Sequence, residues 1–228
     1  MAVLIGRDAP IAFSDPRQKA THASNVWDFF KPDHSVEYPT VDGALSQVCY
    51  YHALEDCYSK FADKMDKFEP NEESFTAESS DYFVFHAPYN KLVQKSYARL
   101  WLIDARRQYE RKEKIQESVN GEEKKDSLVK DNQNALADWM TKSLEDTYSD
   151  RILEGVLKKL SQQAFIERLA DANYASQKIG NTYTASVFMG LASLIDRAGC
   201  QGNLLPGKKI TVFSYGSGAL ATMYMLHV

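Results

Sequence analysis

The chain has 228 residues, enough for one substantial core in one or two domains. Its formal net charge of -4 argues against a general nucleic-acid binder, which would carry a basic excess. No apolar run approaches the roughly 20 residues that span a bilayer, and we expect neither a signal peptide nor membrane association. Three cysteines without disulfide or metal spacing favour a reducing, cytoplasmic setting.

The first third of the chain mixes short strands with one helix. Strands are predicted at 2–5 and 10–13. Residues 15–43 are rich in Pro, Asp and aromatic side chains without periodicity, which predicts an ordered loop. Apolar residues recur at helical spacing over 44–65, whereas the acidic stretch 66–80 has no apolar face and predicts a surface loop.

The middle of the chain contains its most informative segment. A four-residue apolar strand is predicted at 82–85, and it runs directly into His86. Pro88 then starts a helix that we predict to continue to about residue 109. Lys, Glu, Asp, Asn and Gln dominate 110–138, which predicts a solvated helix extension followed by a surface loop.

The last third alternates helices and strands. Helices are predicted at 153–169 and 180–195, the second rich in small residues that permit close packing. Residues 209–228 predict two strands joined by a Gly-Ser-Gly turn. We expect the first and the last two strands to lack partners for full burial within this chain. The apolar final run 221–228 therefore suggests a piece of a larger fold.

His86 is the first candidate for chemistry. Side chains at the carboxyl end of a strand point into the crevice where α/β folds bind ligands. An imidazole there can donate a hydrogen bond to a carbonyl oxygen that becomes an oxyanion. The alternative is a histidine with a purely structural role.

A cationic stripe follows this histidine on the next helix. Lys91, Lys95 and Arg99 recur every four residues and so share one helix face. Such a stripe suits the phosphates of a nucleotide-like ligand, although a solvated helix face has the same pattern.

Four further residues are weaker candidates. Asn181 and Ser217 lie in glycine-containing segments that let a ligand approach the backbone, and Ser217 also fits an ordinary hairpin turn. Ser46 lies in the first turn of the helix predicted at 44–65, where it either binds an anion or is an ordinary helix-start residue. Asp28, among aromatics, is either an acid of raised pKa or a loop-anchoring turn residue.

None of the cysteines has the context of a nucleophile. Cys49 and Cys57 lie within a predicted helix among tyrosines, and Cys200 lies in a polar loop. A reactive thiolate usually needs a helix N-terminus or a cationic partner.

Several long motifs give the chain its family resemblance. They are Thr21-His22, Trp27-Asp-Phe-Phe-Lys-Pro-Asp33, Glu37-Tyr-Pro-Thr-Val-Asp-Gly43, Leu45-Ser46, Phe85-His86, Leu144-Glu-Asp-Thr-Tyr148, Gly180-Asn-Thr-Tyr-Thr184 and the turn from Phe213 to Gly218. With them the chain resembles the 3-hydroxy-3-methylglutaryl-CoA synthases of the thiolase superfamily, which act in the mevalonate pathway of isoprenoid and sterol biosynthesis. The resemblance implies a thiolase-like layered α/β/α fold, with 1–43 as the end of an N-terminal half and 44–228 as a C-terminal half.

The resemblance also implies roles for the candidate residues. In this family a cysteine takes the acetyl group of acetyl-CoA, a glutamate deprotonates it, and the nucleophile attacks acetoacetyl-CoA. His86 matches the histidine that polarises the acetoacetyl carbonyl, and Asp28 resembles an aspartate near the catalytic site. Ser46, Lys95, Asn181 and Ser217 match substrate-contacting positions, and Lys91 lies in the neighbouring stripe. The family implies a homodimer and no cofactor beyond its CoA-thioester substrates.

The family's nucleophilic cysteine and its glutamate have no match in this sequence. We therefore expect the 228-residue chain to be inactive and poorly soluble alone. Two alternatives stay open: a non-catalytic product with at most weak CoA-thioester binding, and another condensing enzyme of the thiolase superfamily.

Overall fold

The structure is a computed structural model that describes residues 3–69, 74–118 and 135–228, and the side chains of 112–118 lie outside this description. Its strands are β1 (Ala12–Phe13), β2 (Ala20–Ala23), β3 (Phe29–Phe30), β4 (Thr40–Val41), β5 (Tyr82–Phe85), β6 (Lys209–Gly216) and β7 (Leu220–His227). Its helices are α1 (Gly43–Phe68), α2 (Asn90–Ser118), α3 (Arg151–Arg168), α4 (Ala170–Ile179) and α5 (Ser186–Cys200). Most of the charged stretch predicted at 110–138 lies outside the described residues.

The main sheet is built around the β6–β7 hairpin. β5 pairs with β6 in parallel, and Phe85 lies opposite Phe213. β1 and β2 both pair antiparallel with the other edge of β7, β2 with Ala20 opposite Met223. β3 and β4 form a separate two-stranded sheet. β5 and β6 therefore end at the same edge, where side chains from distant parts of the chain meet.

Alternating side chains of the sheet enter two different cores. One face, with Phe83, Phe85 and Phe213, packs against α1 and α2. The opposite face, with Val84 and Val212, packs against α4 and α5. Because a strand points successive side chains to opposite faces, helices cover both sides of one sheet. The predicted layered α/β/α fold is confirmed.

Small residues bring α5 close to the sheet, as its composition predicted. A Cβ added to Gly190 would lie 3.1 Å from Cγ1 of Val84 on β5. That separation is tighter than ordinary van der Waals contact, so a side chain at this position would push the helix away from the strand.

The structure corrects several predicted elements in the N-terminal region. Residues 3–5 form no strand, and the predicted loop 15–43 contains β2, β3 and β4. Helix α1 extends beyond its predicted end at 65, and the predicted surface loop 66–80 buries Phe75. β2 was not predicted because Ala-Thr-His-Ala shows no alternation of apolar and polar residues in the sequence. Its residues alternate between buried and exposed because the strand pairs with β7.

The C-terminal region differs from the prediction in two respects. α5 begins at Ser186 and not at 180, because Gly180 takes a positive φ of 86° and Asn181 Oδ1 accepts a hydrogen bond from the Tyr183 N–H at 2.8 Å. The last two strands are well buried, with Phe213 and Met223 fully inaccessible. The expectation that these strands lack partners within the chain was wrong.

Candidate active site

His86 lies directly after β5, where β5 and β6 end side by side. Its backbone N–H donates to the Phe213 carbonyl at 2.8 Å, which extends the parallel pairing by one residue. The side chain is half-buried, and its ring lies 6.4 Å from the Tyr215 ring between centroids. Burial lowers the pKa of His86 to about 4. The imidazole is therefore neutral at pH 7 and has an N–H to donate.

Three helices fix the loop that carries His86. From α1, the Tyr50 hydroxyl donates to the His86 carbonyl at 2.7 Å. From α5, the buried Ser186 Oγ accepts from the Ala87 N–H at 2.8 Å. From α4, the Asn173 side chain donates to the Asn90 side chain. The backbone on both sides of the imidazole is held in place, which pre-organises its direction.

Asp28 lies beside this strand end and is fully buried. Its Oδ1 accepts from the Gly218 N–H at 3.0 Å, so the carboxylate anchors the turn between β6 and β7. Its Oδ2 has no hydrogen-bond partner within the described residues. An acceptor left unpaired in a buried position is costly, and such a site is suited to a ligand donor or a water.

Tyr215, near the end of β6, is the residue that sequence reasoning missed. Its buried hydroxyl forms no close hydrogen bond in the described part of the chain but interacts with the side chains of Asp28 and Ser217. Burial, aided by the Asp28 carboxylate, raises the pKa of Tyr215 well above its ordinary value, so the hydroxyl keeps its proton. The sequence offers only a tyrosine directly before Gly-Ser-Gly, at the end of a predicted strand. We call Asp28, His86, Tyr215 and Ser217 the strand-end cluster.

Ser217 and Ser46 lie at the rim of this cluster. Ser217 is exposed in the β6–β7 turn, and hydrogen bonding by its hydroxyl lowers the pKa of Tyr215 against the effect of burial. Ser46 is half-buried in the first turn of α1, and the buried Cys49 follows it one turn later. Burial and the carboxylates of Asp28 and Asp42 raise the pKa of the Cys49 thiol. Cys49 therefore faces the cluster without being a nucleophile.

The predicted cationic stripe divides into three different environments. Lys91 is exposed and has no ion pair within the described residues. The Lys95 Nζ lies 2.9 Å from Glu154 Oε2 on α3. Arg99 is buried, so the prediction that it continues an anion-binding surface was wrong. The helical spacing was correct, but one end of that face packs into the protein.

Arg99 belongs to a buried polar network between α1, α2 and the 144–148 segment. Its Nε donates to Glu55 Oε1 at 2.5 Å and its Nη2 to Thr147 Oγ1 at 2.8 Å. The Tyr148 hydroxyl donates to the other Glu55 oxygen at 2.8 Å. The guanidinium carbon lies 5.3 Å from the Tyr51 ring centre and 4.8 Å from that of Tyr148. We call Glu55, Arg99, Thr147 and Tyr148 the Arg99 network.

Asn181 makes no hydrogen bond to the strand-end cluster among the described residues. It is exposed, and its side-chain oxygen is already used by the Tyr183 N–H. Its loop nevertheless leads into Ser186, which binds the backbone next to His86. The structure thus brings together His86, Asp28 and Ser217, with Ser46 nearby, and leaves Asn181 and the lysines at the periphery.

The described residues contain neither a metal site nor a membrane span. Within 3–69, 74–118 and 135–228, no group of three or more His, Cys, Asp or Glu side chains is placed to hold an ion. In the same residues, none of the helices combines the length and the apolar character needed to cross a membrane.

Curated proteins match the chain over its whole length. It is 36% identical over 228 residues to hydroxymethylglutaryl-CoA synthase A of Dictyostelium discoideum and 38% identical over 231 residues to the cytoplasmic hydroxymethylglutaryl-CoA synthase of Homo sapiens. The mitochondrial enzyme of Sus scrofa is 36% identical. Each alignment covers 100% of this chain but only 41–42% of the relative, so the chain spans about two-fifths of the length of these proteins.

Solved structures show the same fold. MvaS in complex with 3-hydroxy-3-methylglutaryl coenzyme A superposes with a TM-score of 0.65 at 24% identity, over 92% of this chain and 41% of that one. An HMG-CoA synthase complexed with CoA gives a TM-score of 0.56 at 21% identity, over 96% and 40%. Residues 11–228 match the profile of the family described as hydroxymethylglutaryl-coenzyme A synthase C terminal. The chain belongs to that family.

Proposed function

We propose that this chain provides the acetoacetyl-CoA side of a hydroxymethylglutaryl-CoA synthase active site in the mevalonate pathway. The observation that carries the proposal is the neutral, backbone-clamped imidazole of His86 at the common end of β5 and β6. A neutral imidazole donates one hydrogen bond without bringing a net charge into the site. That property suits a carbonyl oxygen that becomes negative during attack.

The proposed step is the condensation. The carbanion of an acetyl thioester attacks C3 of the acetoacetyl group, the C–C bond forms, and the carbonyl π electrons move to oxygen. The His86 N–H stabilises that oxyanion, which then takes up the proton that the base removed from the acetyl group. The Tyr215 hydroxyl, protonated and without a close hydrogen bond in the described residues, is a second donor, on a ring 6.4 Å from that of His86.

The nucleophile and the base of the reaction have to come from residues other than those described here. Burial raises the pKa of the Cys57 thiol to about 12, and the pKa of Cys49 is also raised. Neither thiol forms a thiolate at pH 7, and Cys200 lies at the end of α5, on the outside of the protein. Synthase activity thus requires a segment that supplies a reactive cysteine and a carboxylate.

Lys91 and Lys95 are the proposed contacts for the CoA phosphates. Both lie on the first turns of α2, which begins four residues after His86. A carrier held there extends from the exposed helix face towards the half-buried histidine. We further propose a homodimer, which the family resemblance supports, and a cytosolic location, which the three free cysteines favour.

A chimera tests the role of His86. This chain replaces the matching region of the Dictyostelium relative, and acetylation by labelled acetyl-CoA is measured separately from condensation. We expect His86→Ala to lower condensation by roughly 100- to 1,000-fold and to leave acetylation nearly unchanged. The control is His52→Ala, an exposed histidine on α1. Equal losses of acetylation and condensation would contradict the proposal.

A non-catalytic role is the second candidate, and the raised pKa values of the two buried thiols favour it for the chain alone. The isolated chain is incubated with radiolabelled acetyl-CoA. The expected result is no covalent label. Label on any of the three cysteines, followed by product formation, would show that the chain is catalytic by itself.

A further inference from the structure

Glu154 on α3 is held between two lysines. Its Oε2 lies 2.9 Å from the Lys95 Nζ on α2, and its Oε1 lies 2.6 Å from the Lys158 Nζ one turn further along α3. The two lysines, more than the opposing effect of burial, lower the pKa of Glu154, so the carboxylate is charged at neutral pH. The Glu154 carboxylate is therefore paired with Lys95, the residue that we propose as a contact for a CoA phosphate.

We propose that Glu154 is an internal competitor for the CoA phosphates and sets the affinity and selectivity of the Lys95 site. Carboxylate and phosphate oxygens are both strong acceptors for an ammonium group, which acts as a point charge. Lys95 cannot serve both at full strength, so phosphate binding requires it to leave Glu154. This inference rests on the proposed role of Lys95 in binding the carrier.

The exposure of the pair makes this exchange feasible. The side chains of Lys95 and Glu154 are 27% and 34% exposed. Those of Arg99, one turn further along α2, and of its partner Glu55 on α1 are 7% and 2% exposed. A half-exposed ion pair is weak because water screens it, and a ligand can displace it. A buried pair of this kind is costly to break. The first pair is therefore exchangeable and the second is permanent.

Lys158 lowers the free-energy cost of moving Lys95 from Glu154 to a ligand. When Lys95 turns towards a ligand, Glu154 keeps its contact with Lys158 and is not left without a cation. Breaking the Lys95–Glu154 pair therefore loses one weak ion pair and does not leave the carboxylate unpaired. A multiply charged phosphate then outcompetes the single carboxylate for Lys95, whereas an uncharged pantetheine thioester gains nothing from the exchange.

Removing the competing charge tests the inference. Binding of CoA and of acetyl-pantetheine to the 228-residue chain is measured by calorimetry at low ionic strength, with circular dichroism to verify folding. We expect Glu154→Gln to bind CoA about two- to fivefold more tightly, the range expected for loss of a screened ion pair, and to bind acetyl-pantetheine as before. The matched control is Glu167→Gln on the same helix, because Glu167 accepts from Gln163 instead of a lysine.

A double-mutant cycle separates direct competition from a general effect of charge. In the Lys95→Ala background, Glu154→Gln should give no gain in CoA affinity beyond that of Glu167→Gln. An equal gain with and without Lys95, or no gain at all while Lys95→Ala still weakens CoA binding, would overturn this inference alone. If none of the variants nor the parent chain bound CoA, the proposed carrier site and this inference would both be wrong.

Discussion

The Arg99 network and the strand-end cluster are two buried polar regions, and they differ in how completely their groups are paired. In the Arg99 network both Glu55 oxygens accept hydrogen bonds, and the guanidinium is also enclosed by two tyrosine rings. In the strand-end cluster, Asp28 Oδ2 and the Tyr215 hydroxyl form no close hydrogen bond within the described residues, although the two side chains interact.

The difference separates a structural region from the region for which we propose a function. A buried polar group without a partner costs free energy, and a fold keeps one where a ligand completes it. A fully paired network has nothing left to offer a ligand. The sequence predicted that Arg99 and the lysines form one anion-binding stripe. The hydrogen bonds of Arg99 show instead that it has a structural role.

The largest expected effect is the loss of protein stability when the charge of Arg99 is removed. Arg99→Met leaves the Glu55 carboxylate buried without its cation, which should cost about 3–5 kcal/mol of unfolding free energy. Urea denaturation measures the loss. Lys60→Met, which removes an exposed pair with Asp56, is the control and should cost less than about 1 kcal/mol. Similar costs for both changes would erase the distinction between the two regions.

The second effect is a pH dependence from His86. The unfolded chain takes up a proton on this histidine below its ordinary pKa of 6.5, whereas the folded chain does so only near 4. Stability is therefore retained above pH 6.5 and lost as the pH falls from about 6.5 to about 4. The loss is on the order of 2–3 kcal/mol.

Other groups titrate in the same range, so the measured quantity is the difference between the parent chain and His86→Gln. Asp104 changes stability in the opposite direction, because burial raises its pKa to about 7. A pH profile that His86→Gln leaves unchanged would mean that the imidazole is not desolvated as the structure indicates.

A smaller effect is expected at the clamp on the histidine loop. Ser186→Ala removes the acceptor of the Ala87 N–H and should cost roughly 1–3 kcal/mol. Hydrogen exchange at Ala87 should accelerate. Ser193→Ala on the same helix is the control, because Ser193 bonds to α4 and not to the histidine loop. Acceleration at Ala87 in both variants would indicate general loosening of α5 instead of a specific clamp.

The smallest effect is expected at the unpaired hydroxyl. Tyr215→Phe removes a hydroxyl that forms no close hydrogen bond in the described residues and should change stability by less than about 1 kcal/mol. Tyr50→Phe removes the donor to the His86 carbonyl and should cost about 1–1.5 kcal/mol. A larger cost at Tyr215 than at Tyr50 would show that the Tyr215 hydroxyl is satisfied after all.

The parts of the fold that could be predicted are those encoded locally. The strand before His86 and the hairpin formed by β6 and β7 have apolar runs with turn signals beside them, and both were predicted correctly. The helical spacing also placed Lys91 and Lys95 on α2. These features depend on neighbours within a few residues, so the sequence alone specifies them.

The parts that could not be predicted depend on distant partners. Glu55 and Arg99 are 44 positions apart, and no local pattern says that they pair. Likewise, the sequence shows Tyr215 only as an aromatic residue of a predicted strand and does not reveal that Asp28 lies beside it. Which cation is buried and which hydroxyl lacks a partner are consequences of packing, not of spacing.

The parallel pairing of β5 with β6 also has a kinetic consequence. The hydrogen bond between Asp28 and Gly218 joins residues 190 positions apart, and His86 meets β6 only after the long connection through α2 to α5. Contacts so distant in sequence form late, since loop closure has to precede them. During synthesis α1 and α2 emerge before β6 exists. The groups that we propose to face the ligand are therefore assembled last, and the proposed site is complete only when the sheet has formed.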